Sequence, residues 1–256
     1  MPAVFFCCCL WTARSLKEGR GQGSCPFFVA FFASLSVCWL VRRIEVLLMI
    51  KAIIFDVGGV LIRTEDHSYR RRWEEELGLR PGEAEEIVFN SEMGQKAQRG
   101  EIKNEALWDW IGNRLDLGDQ LNAFRADFWA GDVLDEDLVA SIRSLRPPYQ
   151  TAIISNATDA LRETVTKQHG IADAFDVIIG SAEEQIMKPD AAIYQRALDA
   201  LGRSAEESIF IDDFARNVDA ARNMGMAAVH FQPGMNISEE LSRFGVTVPD
   251  RKESAR

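Results

Sequence analysis

From Lys51 onward the chain alternates short apolar runs with longer stretches in which apolar positions recur every three or four residues. The runs predict strands over 51–56, 151–155, 176–180, 208–212 and 227–231, apolar at nearly every position as strands covered on both faces are. The stretches between them predict helices. Leu161 and Val165 share one face, Ile193, Ala197 and Leu201 another, and Val218, Ala221 and Met224 a third. Strands alternating with helices give a parallel sheet with helices on both sides, an α/β fold.

Between the first and second of these strands lie roughly 95 residues with no convincing strand, far beyond the ~2–6 of an ordinary βα connection. Their period is helical: Leu107, Ile111 and Leu115 on one face, then Leu117, Leu121, Phe124 and Phe128, then Leu138, Ile142 and Leu145 on the helix returning to the sheet. A helical insertion over residues 64–132 is therefore expected, splitting the core into 49–63 and 133–256, with Arg146-Pro147-Pro148 marking the re-entry. Ligands of an open parallel sheet bind at the carboxyl ends of its strands, so the insertion is expected to act as a cap over that edge.

Charge and cysteine usage narrow the function classes. Of the 256 residues 47% are hydrophobic, enough for a sizeable core, and the formal net charge is −10. From Met49 onward 24 basic residues face 37 acidic ones, which argues against nucleic acid because a phosphate-backbone binder needs a basic face. All five cysteines (Cys7, Cys8, Cys9, Cys25 and Cys38) fall in the first 38 residues, so the body carries no disulfide and suits a reducing, cytoplasmic compartment. The three histidines, His67, His169 and His230, lack metal-ligand spacing and are assigned no chemistry.

The first 48 residues stand apart as a hydrophobic, Cys-rich leader. Residues 27–41 form an uncharged apolar run closed by Arg42-Arg43. The run is shorter than the ~20 residues that span a bilayer comfortably, and no small-residue cleavage site follows it. The favoured expectation is translated upstream sequence with a misassigned start, since Met49-Ile50-Lys51 makes a natural beginning just ahead of the first strand. The alternative is a membrane anchor through 27–41 with the catalytic part cytoplasmic, the one way this chain would meet a membrane.

Two carboxylate clusters carry the candidate chemistry. Asp56 ends the first strand and leads into Val57-Gly58-Gly59-Val60, and Asp212-Asp213 ends the strand Ile209-Phe210-Ile211. An aspartate before two glycines also suits a turn, and a pair of acids before a helix also suits an N-cap. Joined at one sheet edge, they suit metal-assisted attack on phosphate: Asp56 as nucleophile, with Mg²⁺ held by Asp56, the Gly58 carbonyl, Asp212 and Asp213. Gly58 and Gly59 allow close backbone approach, with N–H groups for phosphate oxygens. Ser155-Asn156 closes another strand, and a helix pattern begins at once with Ala157-Thr158-Asp159, which suits either a phosphate cradle or an ordinary cap. Lys188, ahead of Pro189-Asp190 at a helix start, is either a charge-balancing lysine at the site or a solvated one.

Together, Asp56-Val57-Gly58-Gly59-Val60, Ser155-Asn156, Lys188-Pro189 and Asp212-Asp213 with Asn217 resemble the four ordered motifs of the haloacid dehalogenase-like (HAD) hydrolase superfamily, over about residues 50–232. The resemblance implies a Rossmann-like core with strand order 5-4-1-2-3, a helical cap inserted after the first motif, Mg²⁺ dependence and an aspartyl-phosphate intermediate. It makes Asp56 the nucleophile, Ser155 and Lys188 catalytic phosphate ligands, Asp212 and Asp213 the metal pair, and Asn217 their support.

Most phosphatases of the superfamily carry a second aspartate two residues after the nucleophile as general acid and base, and here that position is Gly58. Small sugar-phosphate phosphatases of the glucose-1-phosphate type look similar, with Asp-x-Gly-x-Val and a cap segment like Gln98-Arg99-Gly100-Glu101-Ile102. The expected activity is hydrolysis of a small phosphorylated metabolite by a monomer or homodimer, with Arg99 among the substrate ligands. Met93, Gln95, Arg99 and Trp108 are cap candidates for substrate contact, whereas Trp108, Trp110 and Trp129 suit cap packing better than sugar stacking. The alternatives are a 2-haloacid dehalogenase and a non-catalytic phosphate- or Mg²⁺-binding member, the latter motivated by Gly58.

Overall fold

The computed structural model describes residues 49–248. Five parallel strands form the central sheet: β1 (Ala52–Phe55), β4 (Gln150–Ser155), β5 (Val177–Gly180), β6 (Ser208–Asp212) and β7 (Ala227–His230). β2 (Ile62–Thr64) and β3 (Asp132–Leu134) lie outside it. The sheet order is β5-β4-β1-β6-β7, which is the expected 5-4-1-2-3 when its strands are numbered along the chain and read from the far edge. β1 sits at the centre with Ile54 beside Ala152 on one side and Phe210 on the other.

The near-continuous apolar strands have a simple cause. Side chains alternate across a strand, so both registers of β1 need cover. Ile53 and Phe55 enter one core with Ile153, Ile209, Ile211, Val139 and Ile142, while Ala52 and Ile54 enter the other with Ile154, Ile193, Tyr194 and Phe210. The helices over Glu136–Leu145, Ala191–Leu201 and Ala215–Asn223 supply those covers, with the stripes expected from their spacing buried except at Met224, the half-buried residue that ends the third helix.

Between β1 and the returning helix the chain does form strands, contrary to expectation. β2 (Ile62–Thr64) and β3 (Asp132–Leu134) pair antiparallel, Ile62 opposite Leu134 and Thr64 opposite Asp132, in a ribbon that carries the chain away from the sheet and back. Three residues per strand are too few to show a period of two, which is why the sequence pattern hid them. Beyond the ribbon lie helices over Ser68–Glu76, Glu92–Gln98, Asn104–Arg114 and Leu121–Ala130, packed on a third core of Trp73, Leu107, Trp108, Ile111, Phe124 and Phe128. Arg70 ties this segment to the ribbon, donating to Asp132 Oδ1 at 2.8 Å and to the Phe128 carbonyl at 2.8 Å.

The insertion docks on the sheet's carboxyl edge through backbone and small polar groups. Ser181 Oγ donates to the Gln98 carbonyl at 2.6 Å, Thr158 Oγ1 donates to Asn104 Oδ1 at 3.0 Å, and Asn104 N–H donates to Asp159 at 2.9 Å. Gly100 lies at φ +70°, and a Cβ there would stand 2.1 Å from the Ala182 carbonyl oxygen, so only glycine lets the two backbones meet. The residues after Ser155 take part in this docking and form no helix until Leu161, so the expected helix start at 157–159 is absent. Among the described residues no helix is long and apolar enough to cross a membrane. The leader with its apolar run at 27–41 lies outside the described residues.

Candidate active site

The carboxyl ends of β1, β4 and β6 converge. Asp56 follows β1 and is buried; Asp212 ends β6 with no exposure, and Asp213 follows it. Carboxylate oxygens of Asp56, Asp212 and Asp213 all lie within 4.8 Å of one another. Lys188, only 2% exposed, inserts its Nζ between two of them, 2.8 Å from Asp56 Oδ2 and 2.7 Å from Asp212 Oδ2. Three acids against one ammonium leave the cluster net negative, which is the condition that attracts a further cation.

Each oxygen has a distinct set of partners. Asp212 is fully engaged: Oδ1 accepts from Phe214 N–H at 2.7 Å, and Asn217 Nδ2 lies 3.1 Å from both its oxygens. Asp213 Oδ1 is buried with no hydrogen-bond partner, as is Asn217 Oδ1. An orphaned carboxylate oxygen beside two other carboxylates fits a hard, oxygen-preferring cation such as Mg²⁺. The fit favours Asp56 and Asp213 as the direct ligands, with Asp212 occupied in holding Lys188 and receiving Asn217.

The glycine pair divides its work. Gly59 has φ +75°, and a Cβ there would fall 2.1 Å from Asp213 Oδ2, so a side chain is excluded where the loop passes the carboxylate. Its N–H donates to the Ile62 carbonyl at 2.9 Å, which corrects the expectation that it is free for phosphate. Gly58 is exposed, and its N–H donates to no backbone carbonyl among the described residues. Ser155 ends β4, buried beside the cluster strands. The Asn156 side chain, expected on phosphate, is instead committed to the backbone of Lys188: Nδ2 donates to its carbonyl at 2.9 Å and Oδ1 accepts from its N–H at 2.8 Å. It positions the lysine.

A family model described as haloacid dehalogenase-like hydrolase matches residues 50–225, the span that contains all four motifs. The chain belongs to this family. This HAD-like hydrolase is an enzyme with relatives of more than one chemistry. It is 28% identical to the sesquiterpene phosphatase AstK of Aspergillus oryzae, over 75% of this chain and 94% of that protein. It is 26% identical to an (S)-2-haloacid dehalogenase of a Pseudomonas species, over 76% of this chain and 88% of that one. Among solved structures, a HAD family enzyme of Bacteroides thetaiotaomicron in complex with magnesium and inorganic phosphate shares the fold, with a TM-score of 0.65 and 21% identity over 75% of this chain and 98% of that chain.

Electrostatics of the HAD-like hydrolase site follow from burial. Desolvation pushes the Asp56 carboxyl up to about 7, against the pull of Lys188 and with the push of Asp212. Burial and then Asp212 also raise Asp213. Lys188 is what holds these acids together. Lys188→Met is therefore expected to lower stability by about 3–5 kcal/mol, because one partner of a buried ion cluster is removed and the others stay. Urea unfolding would read this as a lower midpoint at an unchanged slope.

Sequence reasoning placed some residues wrongly and overlooked others. Trp108 is 2% exposed within the ring cluster of Phe124, Phe128 and Trp129, and Met93 packs half-buried against that same core, so neither lines the cleft that Lys188 lines. Gln95 and Arg99 do line a cleft that Lys188 also lines. Pro189 stands one residue before Asp190, the N-cap of Ala191–Leu201, rather than in its first turn. His230, assigned no chemistry, has Nε2 2.8 Å from the Asp213 carbonyl oxygen, a contact made across neighbouring strands that no sequence spacing could signal. Arg216, in the first turn of the helix Ala215–Asn223, also lines the cleft. Its place three residues after Asp213 was the available signal.

Proposed function

We propose that this hydrolase is a Mg²⁺-dependent phosphatase of small phosphomonoesters that works through an aspartyl phosphate on Asp56. The observation that carries the reading is the buried Asp56 carboxylate, gripped by Lys188 and within 4.8 Å of a carboxylate oxygen of Asp213, whose Oδ1 has no partner. Asp56 attacks phosphorus, forming a P–O bond as the bond to the leaving oxygen breaks. Water then cleaves the acyl phosphate, releasing inorganic phosphate and restoring the carboxylate. The Lys188 ammonium balances charge between Asp56 and the transferring group. Ser155 and the Gly58 backbone are assigned to the phosphoryl oxygens, and Asn217 and Asn156 hold Asp212 and Lys188 in place. Asp56, Asp213 and the Gly58 carbonyl would hold Mg²⁺, with Asp212 supporting them, and the ion would neutralise phosphoryl charge. The insertion acts as the cap, bringing Gln95 and Arg99 to the leaving group.

The phosphatase relative AstK supports this reading, and the dehalogenase relative supports the alternative. Displacement of halide from carbon needs no divalent cation, so the crowding of Asp212 and Asp213 beside Asp56 favours the phosphatase. Phosphate release from p-nitrophenyl phosphate and chloride release from 2-chloropropionate, each with Mg²⁺ and with EDTA, separate the two. Phosphate release that EDTA abolishes is the expected result. Chloride release indifferent to EDTA, with no phosphate release, would overturn the proposal.

A further inference from the structure

The cleft shared by Lys188, Gln95 and Arg99 has a volume of about 430 Å³ and is lined on its core side by Gln185, Met187 and Arg216 as well. That volume suits a small metabolite. Its charges are unusual for so acidic a chain. Arg216 forms no ion pair among the described residues; its guanidinium carbon lies 5.6 Å from the centroid of the Phe214 ring, and Phe214 is 55% exposed. Arg99 donates Nε to Glu101 at 2.6 Å and leaves its two terminal nitrogens without a protein partner. Asp190, an acid on the same wall, has Oδ1 taken by the N–H of Ala192 at 2.9 Å as a helix cap. Elsewhere most arginines of the body, such as Arg63, Arg125, Arg143 and Arg162, are neutralised by carboxylates.

Lys188 is taken up by Asp56 and Asp212 at the reacting carboxylate, whereas on the cleft wall Arg216 has no carboxylate partner among the described residues and Arg99 keeps both terminal nitrogens free beside its Nε contact with Glu101. Planar guanidinium forks match carboxylate and phosphate oxygens in pairs, and an aromatic ring beneath one arginine holds its plane. We propose that Arg216, together with Arg99, binds a second anionic group on the leaving-group side of the substrate. The substrate class is then a small phosphate ester whose alcohol carries a carboxylate or another phosphate. Gln95 and Gln185 supply neutral hydrogen bonds for hydroxyls between the two anions. The inference rests on the phosphatase reading for its chemistry, and on the cleft alone for binding.

The test compares phosphoglycolate, fructose 1,6-bisphosphate and glucose 1-phosphate on the full chain in Mg²⁺. Selectivity for the first two over glucose 1-phosphate, as kcat/KM, is expected to be tenfold or more. In Arg216→Ala this ratio is expected to fall at least tenfold, mainly through KM, with partial rescue in Arg216→Lys; Arg99→Ala should move it in the same direction. Phosphoglycolate against the bisphosphate distinguishes carboxylate from phosphate as the second anion. Equal loss for all three esters in Arg216→Ala, through kcat, would overturn the inference, as would a wild type that favours glucose 1-phosphate. If no ester is hydrolysed the phosphatase reading fails by itself, and calorimetry then decides the cleft. Wild type should bind phosphoglycolate at least tenfold more tightly than Arg216→Ala does, and equal binding would overturn the inference.

Discussion

Asp56→Asn is expected to abolish phosphate release, by at least about a thousandfold, while leaving the fold intact or more stable. The two halves come from the same carboxylate. An amide nitrogen and a carbonyl oxygen cannot form the acyl phosphate, so the route through a covalent intermediate closes. Yet the shape is conserved, and Lys188 keeps Asp212 at 2.7 Å.

Stability follows from the sign of the Asp56 shift. A carboxyl pushed up to about 7 in the folded chain, from an ordinary value of 3.8, binds its proton more tightly folded than unfolded. Its contribution is therefore fully present below the unfolded value and is lost as pH rises through about 7. In metal-free protein at pH 8 the ionised Asp56 opposes folding, and the asparagine does not. The Tm of metal-free Asp56→Asn at pH 8 should equal or exceed that of wild type, and the stabilisation of wild type by added Mg²⁺ should shrink in the variant. Residual turnover near the wild-type rate would sink the nucleophile assignment. A variant that unfolds well below wild type would sink the account of its burial.

What could be read in advance divides along a physical line. Buried parallel strands are apolar at every position because both faces are covered, so the five strands and the acids that stop two of them stood out. The helical stripes of the insertion were equally plain, since each packs on its own core. What stayed hidden depends on contacts between distant segments. The β2–β3 ribbon pairs residues about 70 apart, such as Thr64 with Asp132. Asn156 looked like a phosphate ligand because its partner, the backbone of Lys188, lies 32 residues on. The segment after Ser155 looked like a helix start, but Thr158 and Asp159 are drawn to Asn104 of the insertion. Trp108 and Arg99 both fell in the insertion, and only folding separated the ring that packs from the guanidinium that faces the cleft.

Gly58→Asp is expected to raise kcat for esters with poor, alkoxide-like leaving groups by about a hundredfold, the lower end of the ~10²–10⁴ range for a positioned general acid. Position 58 is free to receive the group. Gly58 does not adopt a positive φ, and a Cβ built on it meets nothing within 4 Å, whereas its neighbour Gly59 could take no side chain at all. The residue stands two places after the nucleophile, on the exposed side of the loop, where an acid would meet the departing oxygen. The wild-type site holds Lys188 already committed to two carboxylates, and Asp190, the acid on the cleft wall, is engaged as a helix cap, so an alkoxide is expected to take its proton from water. An aryl phosphate such as p-nitrophenyl phosphate leaves as a weak base and needs no such donor. The substitution should therefore raise turnover of glycolate or sugar esters towards that of aryl esters while changing aryl ester turnover by less than about tenfold. A plot of log kcat against leaving-group pKa would show this as a flatter slope in the variant. Parallel lines for the two proteins would mean that the wild type already has a proton donor, and the carboxyl at position 58 would then be redundant.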